Sequence, residues 1–158
     1  QAYDEYQTHG FEVDLVGARR DKLVLATVKS FFGSRGVVAD HVVGNDSTYS
    51  KWYALLNQPD VREGVVKGAA ERFGYDLNHV EMRLYAGRFS TAASESAIRA
   101  WAEEQFVGGG PLKVYDAGSV VANVREAAAS KQYRDSAVLT TLKVLDATGS
   151  LRPMSPAS

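Results

Sequence analysis

GFEVDLVGARRDKLVLATVKSFF, residues Gly10–Phe32, is the stretch on which the fold turns. Two apolar, β-branched runs, Phe11–Val16 and Leu23–Phe31, flank the short charged link Gly17–Lys22. Runs of this length and composition predict strands, and the link between them predicts a hairpin. Side chains two apart in a strand share a face. Phe11, Val13 and Leu15 therefore fall on one face and Glu12, Asp14 and Val16 on the other. Thr27 and Lys29 share a face of the second strand. In the simplest register two carboxylates and a lysine meet on one surface.

Working outward, Ala2–Thr8 reads as the end of a helix, with His9-Gly10 as its stop. After the hairpin, Phe32–Gly36 reads as a turn and Val37–Gly44 as a short strand or a loop packed on the core. Lys51–Leu56 has a helical pattern. Pro59–Phe73 is a clearer helix, with Asp60 and Glu63 at capping-box spacing, a stripe of Val61, Val65, Ala69 and Phe73, and Gly74 as its end. Val80–Phe89 alternates like a strand. Ser94–Phe106 predicts a helix capped by Ser94, with Ile98, Trp101, Ala102 and Gln105 or Phe106 inward. Gly108–Pro111 breaks the chain and Leu112–Tyr115 predicts a strand. Two more helices, Ser119–Ala129 and Asp135–Leu145, form a C-terminal helical hairpin. The expected class is α/β, a mixed sheet flanked by helices, antiparallel at the hairpin and parallel where helices intervene. One domain is expected over residues 1–149, with an irregular tail over 150–158.

The 158 residues can bury a real core, and 45% hydrophobic with 23% charged is ordinary for a globular protein. No apolar run approaches the ~20 residues that span a bilayer, so no membrane partner is expected. No signal peptide is visible, and the absence of cysteine excludes disulfides and thiolate metal sites. The lack of cysteine fits a cytoplasmic protein. The start at Gln1 reads as the interior of a longer chain. A net charge of −1 excludes a generic polyanion binder. Locally, Asp4, Glu5, Glu12 and Asp14 precede a basic segment with Arg19, Arg20, Lys22, Lys29 and Arg35. An acidic cluster beside a basic segment suits a metal-dependent site acting on phosphate; a solvated hairpin tip is the plain alternative.

Asp14, a twelve-residue gap, then Thr27-Val28-Lys29 resembles the PD-(D/E)XK nuclease superfamily. That resemblance implies a restriction-endonuclease-like core: a helix, a hairpin carrying the site, another helix and a further strand. The family has an Asp on the first hairpin strand and an acidic residue, any residue, then Lys on the second. Asp14 and Lys29 match, and Thr27 stands where the second acid belongs. The implied activity is Mg²⁺- or Mn²⁺-dependent DNA endonuclease action, as one domain of a restriction or repair protein. The implied metal ligands are Asp14 and the Val28 carbonyl, with Glu12, and Glu5 from the preceding helix, in place of the missing carboxylate. Mg²⁺ takes one or two carboxylates plus water and substrate oxygens. Lys29 would stabilise charge on the phosphate. Arg19, Arg20, Lys22, Arg35, Lys51, Lys131 and Arg134 are the candidate nucleic-acid contacts. The other outcome is a catalytically degraded domain that binds nucleic acid or another protein. A homodimer and further domains stay open.

Tyr49, Trp52 and Tyr53, with Lys51 among them, suit either base stacking or the cover of a core edge. His9, His41 and His79 lack ligand spacing. Gly108-Gly109-Gly110 lacks the Walker pattern of a phosphate loop. The C-terminal helices match either a helix-turn-helix, with Thr140, Thr141 and Lys143 as readers, or a plain αα-hairpin.

Overall fold

The computed structural model describes residues 12–31, 34–130 and 137–148 of the chain. The chain forms two compact units, Gln1–Asp116 and Ala117–Ser158. In the first, a tight hairpin of β1 (Leu15–Arg19) and β2 (Lys22–Lys29) leads to α1 (Ala39–Val43), a 3₁₀ turn at Ser50–Tyr53, α2 (Ala54–Asn57) and α3 (Pro59–Phe73). Then come β3 (Val80–Ala86), α4 (Ala92–Glu103), the small strands β4 (Phe106–Val107) and β5 (Gly110–Pro111), and β6 (Lys113–Asp116). The sheet order is β1-β2-β3-β6, antiparallel between β1 and β2 and parallel elsewhere. This is the expected α/β layout, a mixed open sheet flanked by helices.

The core is built on one face of β2 and β3. Val80, Met82, Leu84 and Ala86 are buried, and Glu81, Arg83 and Tyr85 alternate with them on the other face. Leu23 and Leu25 lie beside Val80 and Met82 in register. Val42 of α1, Leu55 and Leu56 of α2, Val66 and Ala70 of α3 and Ile98 and Ala102 of α4 close over that face. Each large aliphatic side chain so buried contributes about 1.5–3 kcal/mol, which fixes which face of β2 points inward.

Several boundaries differ from expectation. The first strand starts at Leu15, with Glu12, Val13 and Asp14 outside it, and runs through Gly17, Ala18 and Arg19; only Arg20 and Asp21 form the turn. A fully exposed edge strand tolerates charge and small residues, so composition misplaced it. Val37–Gly44 is not a strand. Val37 makes one bridge to Phe89, and the rest forms α1, ended by Gly44. In α3, Pro59 occupies the first turn and no side chain caps the helix, so Asp60 is a first-turn acid rather than the cap. The buried residues are Val61, Arg62, Val66 and Ala70, and Phe73 is exposed. A strict four-residue step drifts ~40° per turn at 3.6 residues per turn, which carries Phe73 off the inner face. Thr91, not Ser94, caps α4, accepting a hydrogen bond from the Ser94 amide. Gly108–Pro111 is a miniature hairpin rather than a plain break. It lies so close to the start of β3 that a Cβ on Gly109 would sit 2.2 Å from the Asn78 carbonyl oxygen.

In the second unit, α5 (Ala117–Ser130) and α6 (Ala137–Ala147) pack on one another as a helical hairpin. The expected N-terminal helix, its stop at His9-Gly10, the link at Lys131–Arg134 and the tail lie outside the described residues. No described helix is long and apolar enough to cross a membrane.

Candidate functional site

Open α/β sheets bind ligands beyond the carboxyl ends of their parallel strands. Here that edge is formed by Lys29, Ala86 and Asp116, the last residues of β2, β3 and β6. Asp14 immediately precedes β1, and the hairpin register carries it to the same end. Asp14 Oδ2 accepts two hydrogen bonds, from the Thr27 hydroxyl at 3.0 Å and from the Val28 amide at 2.7 Å. Thr27 is buried, so the carboxylate is anchored from the inside while Asp14 itself stays exposed. Both donors are neutral. No ion pair engages Asp14 among the described residues.

Lys29 lies two residues beyond Thr27 on the same face, ~6.6–6.8 Å along the strand. Its Nζ sits 5.3 Å from the centroid of the Tyr53 ring. Tyr53 is buried, and burial pushes its phenol up to about 12, so it stays protonated while its face supports the ammonium. The Lys29 carbonyl accepts from the Gly87 amide at 2.8 Å, across toward β3. The Val28 amide points the other way, to Asp14, and strand geometry turns the Val28 carbonyl to that same edge.

The backbone just past this end is tightly constrained. Phe31 has φ +30, an unfavourable value for an aromatic residue, two residues after Lys29. Gly36 has φ +90, and a Cβ there would lie 2.9 Å from the Phe89 carbonyl carbon. The close approach sets Val37 beside the chain after β3: the Val37 amide donates to the Arg88 carbonyl and the Ser90 amide to the Val37 carbonyl, each at 2.9 Å. Arg35 and Arg88, both exposed, are thereby carried to the same end of the sheet as Lys29.

The remaining candidates do not all converge. Glu12 is exposed and precedes β1, so strand alternation does not set its direction; Glu5 lies outside the described residues. No group of three or more His, Cys, Asp or Glu side chains suited to a metal occurs among the described residues. Arg19, Arg20 and Lys22 sit at the hairpin turn, ~23 Å along β2 from Lys29. These three cations and Asp14, adjacent in sequence, are thus at opposite ends of the hairpin, and of the basic segment only Lys29 and Arg35 lie at the end that holds Asp14. Arg19 pairs with Asp21, and Lys22 donates to Glu81. Lys51 is exposed beside Tyr53; Lys131 and Arg134 fall outside the described residues.

That far end holds a different carboxylate. Glu81 receives Lys113 at 2.6 Å, Lys22 at 3.1 Å and the Arg83 guanidinium. Burial alone would raise its pKa, but the hydrogen bonds from Lys113, Lys22 and Arg83 outweigh it and hold the group at about 2.

Sequence reasoning missed Tyr53 as the support of Lys29, and it missed Arg88. Arg88 was findable as a cation just past a parallel strand. Tyr53 carried no such signal, because nothing local says which strand a 3₁₀ turn packs under. No known family, no curated protein and no solved structure matches the chain.

Proposed function

We propose that the chain is a metal-dependent DNA endonuclease of the PD-(D/E)XK type, with a restriction-endonuclease-like core over β1 to β6. The observation that carries this reading is the meeting of Asp14 with Thr27 and Val28 at the end of β2, next to Lys29. These are the positions at which the resembled family gathers its two acids and its lysine. The donor set fits a hard divalent cation in its leanest form. Asp14 Oδ1 has no hydrogen-bond partner among the described residues, and Mg²⁺ is often held by a single carboxylate with water and substrate oxygens. Val28 would offer its carbonyl. Glu12, two residues before Asp14 in the chain, is the further acid that the reading offers.

A bound Mg²⁺ or Mn²⁺ would polarise the phosphate and lower the pKa of water. The protein's part is positional and electrostatic. The Thr27 hydroxyl and the Val28 amide orient the Asp14 carboxylate. Lys29, set on the Tyr53 face, stabilises charge that develops on the phosphoryl oxygens. Arg35 and Arg88 hold the flanking backbone phosphates.

One observation favours a second reading. The group that meets Asp14 is a hydroxyl, not a carboxylate, so the site carries one negative charge fewer than the resembled pattern. On that reading the domain binds nucleic acid without cleaving it. Plasmid nicking in Mg²⁺ and Mn²⁺, with wild type, Asp14→Ala and Thr27→Glu, separates the two. The endonuclease reading expects wild-type nicking that Asp14→Ala abolishes. An inactive wild type beside an active Thr27→Glu would replace it with the second reading, and inactivity of both would sink the nuclease assignment.

A further inference from the structure

Tyr49 and Trp52 are exposed large aromatics, Trp52 at 60% and Tyr49 at 42%. Their rings meet edge to face with centroids 5.6 Å apart, and the His41 ring stacks on Tyr49 at 4.7 Å. The geometry is ordered from beneath. Asp46 Oδ1 accepts from the Thr48 and Tyr49 amides, and the Asn57 side chain donates to the Ser50 carbonyl. An exposed tryptophan held in place this way is not explained by the core, which uses its neighbour Tyr53 instead.

The position is informative. Trp52 and Tyr53 are consecutive in one 3₁₀ turn, and Tyr53 lies under Lys29. The backbone that carries Trp52 is therefore one residue from the ring that supports Lys29. Area argues against a protein partner. At those exposures the two side chains offer on the order of 200–250 Å², against ~800 Å² per partner in a stable interface. That area suits one or two planar rings. Lys51, which is exposed, lies between the two aromatic residues in the chain, and His41 and Asp46 border Tyr49. Asp46 is engaged by the backbone amides and lies 3.6 Å from His41 Nε2.

We infer that Tyr49 and Trp52 form a stacking platform for an unpaired nucleobase next to the phosphate site at Asp14 and Lys29. The inference rests on the phosphodiester reading of that site and adds a substrate class: DNA with a single-stranded stretch beside the bound phosphate. Every base has a π-face, so the platform reads strandedness rather than sequence.

The chain has two tryptophans, Trp52 and the half-buried Trp101 of α4, so Trp101→Phe leaves Trp52 as the only reporter. Titrating that variant in EDTA with oligothymidylate, and with a blunt duplex of equal length, should quench the fluorescence with the single strand and much less with the duplex. Trp52→Ala, made in the wild-type chain and checked by circular dichroism, should weaken single-strand binding about 5- to 100-fold, measured by anisotropy of a labelled oligonucleotide. Tyr49→Ala should weaken it less. Equal quenching by duplex, or Trp52→Ala binding the single strand as tightly as wild type, would overturn the inference. So would self-association in sedimentation that Trp52→Ala removes, since a second copy would then cover the rings. EDTA separates this test from cleavage: lost nicking with retained quenching removes the nuclease and keeps the platform.

Discussion

Glu81 and Asp14 lie at opposite ends of β2, and the fold treats the two carboxylates in opposite ways. At the turn end Glu81 is 11% exposed and meets three cations, Lys22, Arg83 and Lys113. At the carboxyl end Asp14 is exposed and meets only a hydroxyl and an amide. The first carboxylate is saturated, and its charge is spent on joining β2, β3 and β6 across the outer face of the sheet. The second is oriented but not neutralised, and an oxygen is left over. An anion that a fold aims and leaves unpaired is the one available to a cation from outside. The contrast explains why the pair-rich cluster is read as structure and the pair-poor one as the candidate site.

The sharpest way to break the contrast is to exchange readouts. Asp14→Ala should cut Mg²⁺-dependent nicking on the order of 10²–10³-fold while the fold survives, because Asp14 is exposed. Glu81→Gln should leave nicking within a few-fold of wild type. Plasmid assays on both variants check this, and a Glu81→Gln protein that folds but cannot nick would reverse the assignment of the two ends.

Stability should respond in the other order. Glu81→Ala leaves Lys22, Arg83 and Lys113 facing one another and is expected to cost about 1–3 kcal/mol in urea unfolding. Asp14→Ala should cost about 0.5–1.5 kcal/mol, for two partly exposed hydrogen bonds.

A pH series sharpens the point. The Glu81 carboxyl is held at about 2 in the folded chain against an ordinary 4.5. A depressed acid contributes stability that is complete above its unfolded value. That contribution is therefore present above about pH 4.5 and drains away as pH falls through about 2. Between pH 6 and pH 2.5 the loss in urea stability should be smaller in Glu81→Gln by about 1–2 kcal/mol. Equal losses in the two proteins would show that the three cations do not hold the charge.

An effect as small as that of Asp14→Ala on stability belongs to Thr27. Thr27→Val keeps the shape and removes the donor to Asp14, for an expected cost of about 1 kcal/mol. Mg²⁺ titration calorimetry on Thr27→Val and Thr27→Glu then tests whether orientation or added charge limits the site. Tighter binding in Thr27→Glu points to missing charge; weaker binding in Thr27→Val points to the role of the hydroxyl in aiming Asp14.

Much of the fold was legible in particular residues. Val80, Met82 and Leu84 alternate with Glu81 and Arg83, and burial follows that alternation residue by residue. Gly74 ended α3 where a left-handed residue was needed, with φ +73. Helices between strands implied parallel pairing, and β2, β3 and β6 are parallel. Asp14, Thr27, Val28 and Lys29 were picked out together, and Asp14 does touch Thr27 and Val28. Local pattern succeeds here because burial repeats with the period of the element and caps act within a few residues.

What only the tertiary structure decided is who meets whom. Arg19, Arg20 and Lys22 looked adjacent to Asp14, yet a strand that folds back on itself puts its turn and its open end at opposite extremes. Lys22 found its partner 59 residues away in Glu81, and Lys29 came to rest over Tyr53. Gly109 donates its amide to the Val80 carbonyl and lies too close to Asn78 for a side chain, which no local signal announces. Such pairings depend on sheet order and helix docking. Those are settled by the burial of a shared core, so no window of sequence contains them.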